Sequence, residues 1–155
     1  MAVGAKLVET RHWSTRYRGL VLIHAAMRLD RTELSMLEER PEWIAALRPA
    51  YPTGSLADVL PFGKLVAVGR LVDCFPTERL AAPTLYTQRT HPGEPTYPHW
   101  TESDMGNFAR GRFGWVFEDL EPIPTMPWKG AQGLFDIPDW KLKGCIPDKF
   151  LEVAP

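Results

Sequence analysis

Cysteine is nearly missing from this chain: Cys74 and Cys145 are the only two, far apart and outside any C-x-x-C pattern. That excludes a disulfide framework and a structural zinc site of the usual spacing, and two free thiols are expected. Long apolar runs are missing too. No stretch approaches the roughly 20 residues of a membrane-spanning helix, and Met1 to Lys6 lacks the apolar centre of a signal peptide. The expectation is therefore a cytoplasmic protein with no membrane partner. Excess charge is small, 18 Lys+Arg against 19 Asp+Glu for a net charge of -1, which excludes a protein that coats nucleic acid through bulk charge. G-x-S-x-G, the P-loop and H-E-x-x-H do not occur, so hydrolysis by those mechanisms has no support.

What is present fits one compact domain of 155 residues, 45% hydrophobic and 24% charged, with enough apolar surface for a single core. The 15 prolines and 12 glycines punctuate it heavily, and helix-period stretches are few, which indicates an α+β protein, mainly β, with short helices. Leu20 to Ala26 (LVLIHAA) is a continuous apolar run suited to a strand buried on both faces. Lys64 to Phe75 (KLVAVGRLVDCF) is a second strand, with Gly69 as a bulge or bend. Phe113 to Ile123 (FGWVFEDLEPI) is a third, ended by Pro122 and Pro124. Between the first two, Asp30 and Glu33 resemble a capping box, and Leu34, Leu37, Ile44 and Leu47 recur at helical spacing. Pro41 splits this segment into two short helices and belongs in the first turn of the second. Leu80 to Ala109, with Pro83, Pro92, Pro95 and Pro98, reads as a long functional loop.

Charge is unevenly placed. Residues 1–31 carry six basic side chains (Lys6, Arg11, Arg16, Arg18, Arg28, Arg31) and two acidic ones (Glu9, Asp30), a net +4; residues 32–62 carry five acids and two bases, a net -3. One positive face aimed at an anionic partner follows from this asymmetry, with a solvated surface of chance clustering as the plainer alternative. The chemistry concentrates in Gly4 to Gly19. If residues 6–11 are extended, Glu9 and Arg11 share a face and Trp13 continues their row. Lys6 has the opposite parity, but at the start of a strand after a glycine turn it can swing to the same side. An arginine fixed by a carboxylate offers its remaining donors to a phosphate or a base edge, and Trp13 offers a stacking face. A lysine beside a glutamate in a pocket is also an acid–base or nucleophilic pair. A surface ion pair on an edge strand has the same spacing.

The run G-x-K-x-x-E-T-R-x-W-S-T-x-Y-R-G, followed by an apolar I-H-A strand, resembles the ASCH domain family of the PUA-like superfamily. Gly69 to Cys74 (GRLVDC), Phe113 to Glu118 (FGWVFE) and Pro127 to Phe135 (PWKGAQGLF) are similar to its later segments, in the same order, over about residues 1–137. The resemblance implies a PUA-like open β-barrel with short helices, and a cleft beside the G-x-K-x-x-E-x-R strand for an RNA or nucleotide ligand. One enzyme of the family is an amidohydrolase acting on acetylated cytidine. Lys6 and Arg11 match its lysine and arginine, whereas Glu9 stands where it has a catalytic threonine, and a carboxylate supplies no hydroxyl. Members usually open with an apolar strand and a short helix, often containing Q-P-W-A, and here three residues precede Gly4. The expectation is a domain over 1–137, short at its N-terminus, with an open barrel edge. A C-terminal extension, 138–155, with an extended Lys149 to Val153, or a second copy in a homodimer, is expected to pair with that edge.

Other residues carry plainer readings. His24, inside an apolar strand, is expected to hold a backbone carbonyl rather than act as a base. His91, His99, Cys74 and Cys145 match no zinc spacing, so neither a metal nor another cofactor is expected. Trp43, Trp100, Trp115 and Trp140 read as packing residues. Arg110 to Gly114 reads either as a phosphate contact or as a turn. The loop after Trp128 is the better candidate for lining the cleft. The site is thus Lys6, Glu9, Arg11, Trp13, Arg16, Arg18 and Lys129, recognising RNA or a nucleotide. The alternative is a small hydrolase, a ribonuclease or a modified-nucleoside amidohydrolase, with Lys6 as base or nucleophile and Glu9 as proton shuttle. A protein interaction module acting through the 80–109 loop is the third.

Overall fold

The structure, a computed structural model, describes residues 1–27, 35, 37–79, 102–138, 141–142 and 144–151. They form a small α+β protein that is mainly strand. Four antiparallel strands, β1 (Val8–Arg11), β2 (Gly19–His24), β3 (Lys64–Pro76) and β4 (Phe113–Pro127), make one sheet in the order β1-β4-β3-β2. Among the described residues β1 and β2 stand at its two edges and do not pair with each other. Among the described residues α1 (Pro41–Leu47), α2 (Leu56–Val59) and α3 (Asp148–Leu151) are helices of one or two turns, and Ser35 and residues 37–39 are helical as well. Thr77–Arg79 and Glu102–Met105 are 3-10 turns. No helix among the described residues is long and apolar enough to cross a membrane.

The three expected strands form, and α1 begins at Pro41, where a missing N–H costs nothing because the first-turn amides have no partner within the helix. The capping box at Asp30 and Glu33 lies outside the described residues, as do 80–101 of the long loop, His91 and His99 among them. Three expectations need correction. The Leu20 to Ala26 run, expected as a strand buried on both faces, stops at His24 and is half-buried along its length, because β2 is an edge strand. β4 runs on to Pro127 rather than ending at Pro122 or Pro124. Its register against β3 jumps between Leu65↔Met126 and Ala67↔Pro122, and β1 pairs with it only from Phe113 to Val116. The prolines therefore fall at a bulge and along a stretch with no β1 partner, where no ladder hydrogen bond is required of them. The third correction concerns Lys149 to Val153. Asp148–Leu151 is helical, and Phe150 turns inward to lie with Leu142 and Ile146 in the core. Residues 152–155 lie outside the described residues.

Alternation along β2 separates two apolar faces. Leu20 and Leu22 pack with Leu65, Val68, Ile123, Leu142, Ile146 and Phe150, so the tail covers one face of the sheet with its side chains. Val21 and Ile23 pack on the other face with Leu71, Trp115, Phe117 and Trp13. The long strands bend where register is lost. Between Val68↔Glu121 and Arg70↔Glu118, β4 carries one residue more than β3. Gly69 sits at this bulge, and a Cβ there would lie 2.7 Å from Leu120 Cδ1 and 3.3 Å from its Cα. Opposite it, Asp119 adopts a φ of 52°. Such bulges increase local twist and bend the strand.

Candidate functional site

A turn closed by the Gly4 amide donating to the Met1 carbonyl at 2.8 Å delivers Lys6 to β1. Its backbone register extends β1, since the Phe117 amide donates to the Leu7 carbonyl at 3.0 Å. Val8 and Thr10, of the same parity as Lys6, are buried. The Lys6 side chain nevertheless comes round the strand, and its Nζ donates to Glu9 Oε2 at 2.8 Å. The other oxygen, Glu9 Oε1, lies 3.2 Å from Arg11 Nη2. One carboxylate therefore joins two cations that differ in access: the Lys6 side chain is 10% exposed and that of Arg11 is 53% exposed. Gly106 roofs the ammonium, for a Cβ placed there would stand 3.4 Å from Nζ. An ammonium so enclosed needs its carboxylate, because an unpaired buried charge costs several kcal/mol.

Glu9, Trp115 and Cys74 lie opposite one another on β1, β4 and β3, and so project from the same face of the sheet. Trp13 closes on this row, its ring edge-on to Trp115 with centroids 4.5 Å apart and planes at 87°. Trp115 Nε1 donates to the Trp13 carbonyl at 3.2 Å, and the Thr15 amide donates to Cys74 Sγ at 3.5 Å. The crossing from β1 to β2 is thus stitched to the sheet at two points, and Trp13 keeps part of its ring in solvent. Trp115 is buried as a packing residue, and both cysteines are free thiols.

The remaining expected site residues do not all converge here. Arg18 is turned to the scaffold: it donates to Asp73 Oδ1 at 3.0 Å, to the Thr15 carbonyl at 3.1 Å and to the Tyr17 carbonyl at 2.8 Å. Arg16 is exposed. Lys129 is exposed as well, but it follows Trp128, whose carbonyl lies against His24 of the opposite edge strand. The structure therefore groups Lys6, Glu9, Arg11 and Trp13 and sets Lys129 on a separate loop. The Arg110 to Gly114 segment, read from sequence as a phosphate contact or a turn, also borders this end. Arg112 Nη2 donates to the Thr10 carbonyl at 3.1 Å, and the Gly111 amide donates to Glu78 at 2.9 Å. That hydrogen bond, the largest cause, holds the Glu78 carboxyl below its ordinary value, with nearby Arg110 adding to the effect. The signal for Arg112 is the start of β4 itself, since β4 pairs antiparallel with β1 and so brings its first residues beside Arg11.

An apolar hollow of about 190 Å³ lies elsewhere, among Met1, Ala25, Leu47, Tyr51, Phe62 and Val66. Among the described residues no charged side chain lines it. Among the described residues no group of three or more His, Cys, Asp or Glu is placed to hold a metal ion. No protein-family model matches the chain, and no curated protein matches it.

Proposed function

We propose that this chain is an ASCH-type, PUA-like open-barrel domain that binds RNA or a nucleotide in the cleft beside β1. The observation that carries the reading is the relay from Lys6 through Glu9 to Arg11, beside the partly buried Trp13. Glu9 holds the exposed guanidinium by one edge and leaves its other donors to a phosphate. Trp13, braced edge-on by Trp115, gives a base a face on which to stack. Lys6, enclosed and paired, fixes Glu9. The motifs quoted above, in their order, and the bulged, bent sheet support the family reading. Arg16 and Lys129 extend the positive surface, and Arg18 acts by fastening the segment that carries Trp13. Cytoplasmic location and a homodimer formed through a sheet edge belong to the same proposal.

The test is binding of a mixed-sequence eight-nucleotide RNA, and separately of cytidine and acetylcytidine, at low and moderate salt. Binding that weakens steeply with salt and is lost in Arg11→Ala is the expected result. No binding of any of these probes overturns the reading. The 2.8 Å contact between Nζ and Glu9 is also a proton-transfer geometry, which gives the hydrolase reading its one support. Product released by the wild type and lost in Lys6→Ala, with RNA binding retained, would establish that reading instead.

A further inference from the structure

The loop that follows β4 is held by a histidine 104 residues away in the chain. Trp128 is fixed first: its amide donates to the Gly63 carbonyl at 3.1 Å, its ring packs in the tail-side core, and Lys141 Nζ stands 4.9 Å from the ring centroid. Its carbonyl then lies 2.9 Å from His24 Nε2. Gly130 lies flat against the same imidazole, so closely that a Cβ would be 2.6 Å from Cε1 and 2.9 Å from Nδ1. Three residues on, at a φ of 78°, a Cβ on Gly133 would be 4.0 Å from Trp13 Cζ2. The loop thus leaves the tail-side face at Trp128, passes over His24 at the β2 edge, and arrives at Trp13 on the other face. Lys129, Ala131, Gln132 and Leu134 are exposed along its course.

A histidine that only filled the core would need an acceptor for its ring nitrogen, but it would not need a glycine against its ring. Both contacts fall on one loop, and that loop ends on the stacking residue of the cleft. We infer that His24 is a positioning residue: it latches residues 128–133 so that they form the second wall of the cleft, with Lys129 and Gln132 facing the ligand across Trp13. The inference rests on the RNA-binding reading for its function, and on geometry alone for the latch. In this arrangement the imidazole donates from Nε2 to the Trp128 carbonyl, and the ring face sets how near Gly130 approaches. A side chain at 130 and the ring at 24 exclude one another.

The experiment uses the full chain and two readouts. The first needs no ligand: amide hydrogen exchange at 129–134 in wild type, His24→Ala, His24→Gln and Gly130→Ala. Exchange faster in His24→Ala and Gly130→Ala, and restored toward wild type in His24→Gln, which keeps an N–H donor, supports the latch; unchanged exchange overturns it. The second is affinity for the eight-nucleotide RNA across a salt series. His24→Ala and Lys129→Ala should each weaken binding several-fold and each lower the salt slope by about one, as loss of one phosphate contact does. The double variant should lose no more than either single one, because both act on the same contact. Additive losses, or a slope that does not move, overturn the role of the loop as a wall even if the latch stands. If wild type binds no RNA, the functional reading falls with that role, and the exchange data decide the latch by themselves. Gly130→Ala in the His24→Ala background covers the case of a misfolded single variant: with no ring to collide with, the added methyl should cause no further change, and a full additional loss overturns the steric argument.

Discussion

On one face of the sheet Leu65, Val68 and Ile123 meet Leu142, Ile146 and Phe150 from the tail. On the other, Leu71, Trp115 and Phe117 meet Trp13, Cys74 and Val21, and the same face carries Glu9. The first is closed by hydrocarbon from a distant part of the chain, whereas the second is closed by a partly buried indole, a thiol that accepts a backbone hydrogen bond and a chain of charges. Apolar contact is non-directional and tolerates substitution of similar volume. The second face depends on donors and acceptors at fixed places, where one lost partner leaves another stranded. On the proposed function, stability and recognition fall to opposite sides of the same four strands.

Breaking the first face should have the largest effect on folding. Phe150 is 2% exposed, and Phe150→Ala should cost about 3–5 kcal/mol by denaturant titration, with RNA affinity unchanged at temperatures where the variant stays folded. On the second face Glu9→Ala strands the Lys6 ammonium. The carboxylate is 25% exposed, so the cost should be about 2 kcal/mol, below that of a fully buried pair. Lys6→Met combined with Glu9→Leu should recover much of that stability while ligand binding stays lost, which separates the two roles of the pair. Gly69→Ala forces a methyl onto Leu120 and should cost about 1–3 kcal/mol, with a smaller fall if the bulge yields. The smallest effect is at Glu78. Its carboxyl is held low in the folded state, so the stability it adds is present above its ordinary value of 4.5 and is lost as pH falls through the lowered one. Glu78→Gln should flatten the melting-temperature profile in that acidic window and leave neutral pH nearly unaffected.

Sequence pattern made the centres of β2, β3 and β4 legible, because their apolar runs have strand length and Gly or Pro at their borders. The pairing of Glu9 with Arg11 was legible from parity. The burial of Lys6 was not, because the residue lies just ahead of β1, where alternation no longer dictates direction. Lys149 to Val153 misled as an extended segment. The better signal was the recurrence of Leu142, Ile146 and Phe150, three apolar side chains that all enter the same core. Arg18 looked like a free cation because its partner Asp73 is 55 residues away. The loop at Lys129 hid its anchor for the same reason, and no local pattern in His24 announces which carbonyl it meets.

The roof that Gly106 places over Lys6 has a kinetic consequence. An acylating reagent reaches an amine only while it is uncovered and unpaired, so Lys6 can react no faster than the segment at 106 lifts and the Glu9 bond opens. Lys129, exposed on its loop, carries no such gate. The ratio of their labelling rates is therefore a clock for local opening at the β1 edge of the sheet, readable by mass spectrometry with no ligand present.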